Sequence, residues 1–290
     1  MAWQILAIVF PVFAIVAVGY VYGRRHAPEM AVANRVNVDV FVPALVFSVL
    51  SKESVALGAY WQMALAAVLV VVGSGLLAWP VARLLGYAPR TFVPPIMFNN
   101  SGNMGLPLAL LAFGEAGLAA AVVLFVVENL LHFSLGTWLL AGRPHPLQLV
   151  RMPMLLATFL GIFFNLADLH LPPAVATAVE MLGEVAIPLM LFALGVRMTG
   201  VDLAHWRIGL AGALLYPAAG LACAAAAVAM LGLEGGEAAQ VLVFGVLPPA
   251  VLNYMLAEQY GQEPDKVASM VLLGNLASLA VIPVVLAFVL

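Results

Sequence analysis

The stretch that decides the fold is residues 93–108, with the sequence VPPIMFNNSGNMGLPL. It lies within a long apolar run, yet it contains three prolines, two glycines and four small polar side chains. Pro107 removes a backbone donor and crowds the carbonyl one turn back, while Gly102 and Gly105 lower helix stability. We therefore expect a discontinuous helix whose second half begins near Gly102–Gly105.

Two interpretations of this break are open. Backbone groups freed at membrane depth must be satisfied by protein, water or ligand. In the first interpretation, the N–H groups and positive dipole end of the half-helix face an anionic substrate near the midplane. In the second, the break is a proline kink whose asparagines bond neighbouring helices. The concentration of helix breakers and amides favours the first, and the candidate substrate-binding residues are Asn99, Asn100, Ser101, Gly102, Asn103 and Gly105.

The composition predicts an integral membrane protein. Of 290 residues, 65% are hydrophobic and 9% charged, against roughly 45–50% and about 25% in soluble domains. A spanning helix needs about 20 apolar residues, so the sequence predicts an all-α fold of ten transmembrane helices. They are approximately residues 4–22, 36–51, 57–81, 91–113, 117–140, 150–168, 172–196, 207–232, 238–258 and 266–289.

The two halves of the chain repeat in order, at offsets between 142 and 154 residues. We predict one five-helix repeat over residues 1–142 and a second over residues 143–290. An odd number of helices inverts the second copy, an arrangement common in transporters. The matches include Pro43 with Pro188, Phe47 with Phe192, Pro94-Pro95 with Pro248-Pro249, Asn99 with Asn253, and Asn129 with Asn275.

The predicted ninth helix contains the counterpart of the first break, in LPPAVLNYMLAEQYG. Two prolines interrupt it, and an asparagine and a tyrosine supply polar groups. Broken helices at equivalent places in two inverted halves indicate a transport site. The candidate residues here are Pro248, Pro249, Asn253 and Tyr254.

A carboxylate in the predicted fifth helix is the candidate for ion coupling. Glu128 is adjacent to Asn129 and four residues before His132, so Glu128 and His132 share a helical face. A charge at the bilayer centre costs about 2.5–3.5 kcal/mol even on an insertion scale, so proton or cation coupling is one interpretation. A carboxylate that bonds another helix for packing is the other.

Basic residues predict the orientation. Ten of the eleven lysines and arginines fall after odd-numbered predicted helices, and Lys52 alone falls on the other side. Because cytoplasmic loops carry the excess of basic residues, both termini are predicted to be extracytoplasmic in a multi-pass cell-membrane protein, of the bacterial inner-membrane kind.

The segments NNSGNMGLPL and PPAVLNYMLAEQYG and the five-plus-five plan resemble the auxin efflux carrier family, along essentially the whole chain. The resemblance implies a fold related to bile acid–sodium symporters, with helices four and nine crossing at their breaks. It also implies elevator-type movement of a transport domain against a scaffold. By resemblance, Asn100–Gly105 and Pro248–Asn253 lie at the crossover. The long cytoplasmic loop of plant exporters is replaced by AGRPHPLQLVR, so their phosphoregulation does not carry over.

The sequence thus predicts a secondary active or facilitative carrier of a small organic anion, such as an auxin-like compound or a mono- or dicarboxylate, in export or exchange. The alternatives are a sodium-coupled organic-anion symporter and, in another class, a channel. No motif for a nucleophile–base pair, metal or cofactor is present, so an enzyme is not expected. The expected partners are the anion, lipid, a coupling proton or sodium, and a second copy in a homodimer, but no nucleic acid.

Overall fold

The computed structural model describes residues 2–52, 60–141, 152–200 and 204–290. Within these ranges the chain is all-helical, and its only β pairing is an isolated bridge. The predicted all-α class is confirmed. The helices are α1 (Ala2–His26), α2 (Ala31–Leu50), α3 (Trp61–Leu84), α4 (Pro89–Met97), α5 (Ser101–Ala141), α6 (Pro153–Leu166), α7 (Pro173–Arg197), α8 (Trp206–Leu231), α9 (Gly235–Gly245), α10 (Leu252–Gln259) and α11 (Pro264–Val289).

The long helix α5 is two helices joined by a bend. Gly114 has φ 71° and ψ −163°, a conformation that glycine adopts without the steric cost a side chain would add. Residues 101–113 and 115–141 are therefore separate helical segments, as the predicted fourth and fifth helices require. Wider π-helical turns occur at Ser101–Gly105 and His132–Gly136 within α5, and at Asn37–Phe41 within α2.

In the described part of the chain, seven helices are long and apolar enough to cross a membrane: α1, α2, α3, α5, α7, α8 and α11. The predicted sixth helix is only 14 residues long, as α6. The predicted fourth and ninth helices are interrupted between α4 and α5 and between α9 and α10. Ten passes therefore stay a prediction, because three of them would be short or broken helices. The boundary between the predicted repeats lies outside the described residues, as does AGRPHPLQLVR.

Small residues set the closest helix contacts. A Cβ added to Gly195 of α7 would lie 2.0 Å from the Val16 carbonyl oxygen of α1, and one added to Gly19 would lie 2.2 Å from the Phe192 carbonyl oxygen. Glycine lets two backbones touch where larger residues would hold them apart, as is common in membranes. The outward faces carry exposed large apolar side chains such as Trp3, Phe159 and Phe288, which suits a lipid environment.

Charged side chains pair at the ends of the helices. Lys52 donates to Glu180 over 3.1 Å and lies 3.6 Å from Glu115, so it joins the end of α2 to α7 and to the bend in α5. Burial would lower the pKa of Lys52, but the hydrogen bond and charge of Glu180, with Glu115, raise it overall. At other helix ends, Thr91 donates to Glu263 over 2.7 Å, and Lys266 also pairs with Glu263. The hydrogen bonds from Lys266 and Thr91 lower the pKa of Glu263.

Candidate functional site

The breaks between α4 and α5 and between α9 and α10 pair with each other. Asn99 forms an antiparallel bridge with Pro249. The backbone N–H of Asn100 donates to the Pro248 carbonyl over 2.6 Å, and the N–H of Ala250 donates to the Phe98 carbonyl over 3.0 Å. Two of the backbone N–H groups at the breaks are thus satisfied by carbonyls of the opposite break, as burial requires.

Three buried asparagines fasten the paired breaks. The Asn99 amide donates to the Phe244 carbonyl of α9 over 2.7 Å. Asn253 of α10 donates to the carbonyls of Phe98 (2.9 Å) and Ala250 (3.0 Å). Asn275 of α11 donates to Pro249 (3.2 Å) and to Val271 one turn back (2.8 Å). Because each Nδ2 is directed at a carbonyl, each Oδ1 is left as a buried acceptor without a partner among the described residues.

Unused donors remain at the start of α5. The N–H groups of Met104 and Gly105 both donate to the Asn100 carbonyl over 3.1 Å, and they close the first turn. The N–H groups of Ser101, Gly102 and Asn103 precede that turn and have no intrahelical acceptor. The Asn100 Nδ2 is buried without a partner among the described residues.

The remaining predicted residues have different surroundings. Ser101 turns its hydroxyl toward Glu128. A Cβ on Gly102 would lie 2.8 Å from the Phe125 ring, and one on Gly105 would lie 2.9 Å from the flexible end of Leu247. Asn103 is half-buried, and Tyr254 donates to Glu258 over 3.3 Å. Across the two breaks the structure joins Asn99, Asn100, Pro248, Pro249 and Asn253, and it brings Gly105 near Leu247. Ser101 and Gly102 lie instead against Glu128 and Phe125, and the Asn103 side chain makes no hydrogen bond within the described residues. The Tyr254 hydroxyl lies toward the end of α10.

The predicted coupling residues lie against the first break. Glu128 and His132 are both almost completely buried, with 2% and 1% of their surface exposed. Glu128 Oε2 accepts hydrogen bonds from Ser101 Oγ at 3.0 Å and from Asn129 Nδ2 at 3.2 Å. Glu128 Oε1 lies 3.3 Å from His132 Nδ1. The His132 ring stacks on Phe98, with ring centroids 4.1 Å apart and planes at 7°.

A cavity of about 580 Å³ opens beside the second break. Its lining includes Val251, Tyr254 and Asn275, and Arg197 at the end of α7. Arg197 lies 3.2 Å from the Met255 sulfur, and no carboxylate lies within ion-pair distance of it in the described part of the chain. His205 and Asp265 also line the cavity. It is large enough for a small organic anion.

Sequence reasoning missed three parts of this site. Phe98 looks like an ordinary apolar residue, but its ring and carbonyl contact both the coupling residues and the second break. Asn275 enters the sequence analysis only as the repeat partner of Asn129. Both donate to the carbonyl one turn back, over 2.8 Å and 2.9 Å. Arg197 carries no local signal, because only the fold brings the end of α7 beside Met255 of α10 and onto the cavity.

Apolar spanning helices with paired breaks and a cavity define an integral membrane transporter rather than an enzyme. A sequence model of the family described as membrane transport protein matches residues 4–150 and 144–286. The chain therefore belongs to this family, which is that of the auxin efflux carriers, as the resemblance predicts.

Three curated relatives are similar in sequence to this chain over almost their whole length. One is a protein of Rhizobium meliloti (strain 1021) whose name ascribes malonate transport to it, 25% identical and covering 96% of this chain and 94% of its own. Another is an uncharacterized transporter of Methanothermobacter thermautotrophicus, 28% identical over 95% of both chains. A third, from Methanocaldococcus jannaschii, is an uncharacterized transporter 23% identical over 95% of this chain and 96% of its own.

Proposed function

We propose that the protein is a carrier for a small organic anion, and that the anion binds where the two helix breaks meet. The observation that carries this proposal is the set of unused donors at the start of α5. The N–H groups of Ser101, Gly102 and Asn103 and the Asn100 amide lie at the positive end of a helix dipole. They can hold a carboxylate without a permanent countercharge, which would have to be desolvated at membrane depth.

The proposal includes two inverted five-helix halves, residues 1–142 and 143–290, with the broken helices crossing. Matched residues support it, since Asn99 and Asn253 each donate to a backbone carbonyl of the opposite half. The short helix before each break, α4 or α9, also follows a long apolar helix, α3 with 24 residues or α8 with 26. Elevator-type alternating access fits a site built into two broken helices that are bonded to each other.

The substrate class within the proposal is a small mono- or dicarboxylate, moved by export or exchange. The relative named for malonate transport supports a dicarboxylate. Arg197 at the end of α7 lines the cavity beside the second break, so it could screen a second carboxylate. Asp265 on the same cavity keeps the lining near neutrality, which favours release as well as binding.

A sodium-coupled symporter of organic anions is the second candidate function. The observation that favours it is the three buried Oδ1 acceptors of Asn99, Asn253 and Asn275. Amide oxygens suit hard cations. In a sodium symporter, a sodium ion would bind to some of these oxygens. In the first proposal, these oxygens would instead accept hydrogen bonds from water or from substrate hydroxyl groups.

Malonate binding and counterflow test the function. Purified protein should be stabilised by malonate in a thermal-shift assay, and proteoliposomes loaded with malonate should take up labelled malonate faster than empty ones. Stabilisation that requires sodium and not potassium would select the symporter. An uptake that rises linearly with concentration and shows no counterflow would identify a channel and contradict the carrier.

We also propose that both termini are extracytoplasmic in the cell membrane, and cysteine labelling tests this topology. In a Cys223→Ala background, Glu115→Cys should react with an impermeant maleimide added to intact cells. Arg83→Cys should react only after permeabilisation, because it belongs to the basic side. Both side chains are exposed. The reverse pattern of labelling would invert the topology.

A further inference from the structure

We propose that Glu128 and His132 form a single proton-binding site whose occupancy controls anion binding at the helix breaks; this inference rests on the proposed function. Oε1 of Glu128 and Nδ1 of His132 lie 3.3 Å apart, within ion-pair distance, and neither atom makes a hydrogen bond within the described residues. A carboxylate and an imidazole at this distance can hold one proton between them. The proton comes from water on one side of the membrane and returns to water on the other.

The pair contacts both halves of the first broken helix. Phe98, the first residue after α4, stacks on the His132 ring, and its carbonyl accepts hydrogen bonds from Ala250 and Asn253 of the second break. Ser101, the first residue of α5, donates its hydroxyl to Glu128. The Ser101 hydroxyl therefore links Glu128 directly to the residue whose N–H group faces the proposed anion.

Local backbone geometry supports a functional role for this contact. Ser101 and His132 are the first residues of the two π-helical turns, Ser101–Gly105 and His132–Gly136. Such turns are frequent at functional sites. A Cβ added to Gly136 would lie 3.0 Å from the Phe98 ring and 3.1 Å from His132 Cδ2. Glycine at position 136 thus leaves room for the ring stack.

Among the described residues, no other ionisable group lies within ion-pair distance of the pair. Helices α1, α2, α3, α6, α7, α9 and α10 contact α5. In the described residues none of their ionisable groups is within ion-pair distance of Glu128 or His132. The ionisable groups of these helices, most of them near helix ends, are Tyr20, Tyr22, Arg24, Arg25, His26, Arg35, Asp39, Arg83, Glu180, Glu184, Arg197, Glu237, Tyr254 and Glu258.

The sign of the coupling follows from charge. An ionised Glu128 repels an anion held at Ser101–Asn103, and a proton on the pair removes that repulsion. Proton and anion therefore strengthen each other's binding by the same factor, about 5–150-fold for ordinary coupling energies. Since the pair is almost fully buried here, the proton is occluded in this conformation and exchanges in another stage of the transport cycle.

Infrared titration tests the proton site without any substrate. As the pH is lowered, wild-type protein in lipid should gain the carbonyl band of a buried protonated carboxylic acid, distinct from the bands of the exposed carboxyl groups. Glu128→Gln should lack this buried-carboxyl band. Glu184→Gln, which removes an exposed carboxylate on α7, should keep it. A buried-carboxyl band that persists unchanged in Glu128→Gln would overturn the assignment.

Malonate transport tests the coupling. At zero membrane potential, one proton moving with a singly charged anion gives about tenfold accumulation per unit of pH gradient. Glu128→Gln should lose this accumulation yet retain malonate exchange, and its malonate affinity should follow only malonate's own ionisation. Accumulation that persists in Glu128→Gln, or that follows a sodium gradient instead, would refute proton coupling at this pair.

A second variant separates the proton from packing. His132→Phe keeps a ring to stack on Phe98 but removes the imidazole, so it should fold and lose pH-driven accumulation, as Glu128→Gln should. Normal pH-driven accumulation in His132→Phe would overturn the shared site. If wild-type protein neither binds nor exchanges malonate, the proposed substrate is wrong, while the infrared titration still decides whether Glu128 binds a proton.

Discussion

The substitution Gly220→Val is expected to prevent the protein from folding. A Cβ at position 220 of α8 would lie 1.8 Å from the Gly245 carbonyl oxygen at the end of α9. Real Cβ contacts are essentially never below 3.0 Å, so the two helices would have to separate by more than 1 Å. Extra methylene groups in a packed core cost about 1–3 kcal/mol when side chains can adjust, and here the obstacle is backbone, which adjusts less.

Size-exclusion of a fluorescent fusion in mild detergent measures this effect. Gly220→Val should give little or no monodisperse peak, whereas Gly236→Ala should behave as wild type. Gly236 lies in the first turn of α9, and a Cβ there meets nothing within 4 Å. A normal peak and melting temperature for Gly220→Val would mean that α8 and α9 are not in backbone contact at this point.

Asn103→Ala and Asn100→Ala are each expected to weaken malonate binding by about 10–150-fold. A hydrogen bond to a charged group contributes about 1.5–3 kcal/mol, which gives that range of affinity. Neither side chain donates a hydrogen bond in the described part of the chain, so the melting temperature without ligand should stay near that of wild type. Isothermal titration against malonate in detergent measures the loss.

Two further variants serve as comparisons for this result. Asn34→Ala removes a half-buried amide in α2, far along the chain from the breaks, and it should bind malonate normally. Asn253→Ala should lower the melting temperature as well as affinity, because Asn253 fastens the two breaks through Phe98 and Ala250. Wild-type affinity in both Asn103→Ala and Asn253→Ala, on folded protein, would place the substrate elsewhere.

The positions of the helix breaks could be predicted because proline and glycine act locally. Pro107 and the Pro248-Pro249 pair limit where a helix can run, whatever surrounds them. The structure accordingly ends α4 at Met97 and begins α5 at Ser101, a few residues from the expected start near Gly102–Gly105. The bend at Gly114 also separates the predicted fourth and fifth helices.

The roles of individual amides could not be predicted, because they depend on contacts between distant segments. From the sequence alone, Asn253 and Asn103 are both predicted to donate hydrogen bonds to the anion. In the structure both donors of Asn253 are used by backbone carbonyls, and only its acceptor is left. Likewise, Phe98 becomes part of the site only because α5 brings His132 over its ring.

The bonds between the two breaks also limit how the protein can move. Separating the breaks would leave the hydrogen-bonding groups of Asn100, Pro248, Ala250 and Phe98 without partners, and each unmet buried group costs about 1–3 kcal/mol. At Gly19 and Gly195, by contrast, α1 and α7 touch through their backbones, and the described residues show no hydrogen bond between these two helices. In the proposed elevator movement, the two breaks would therefore travel together as one rigid body.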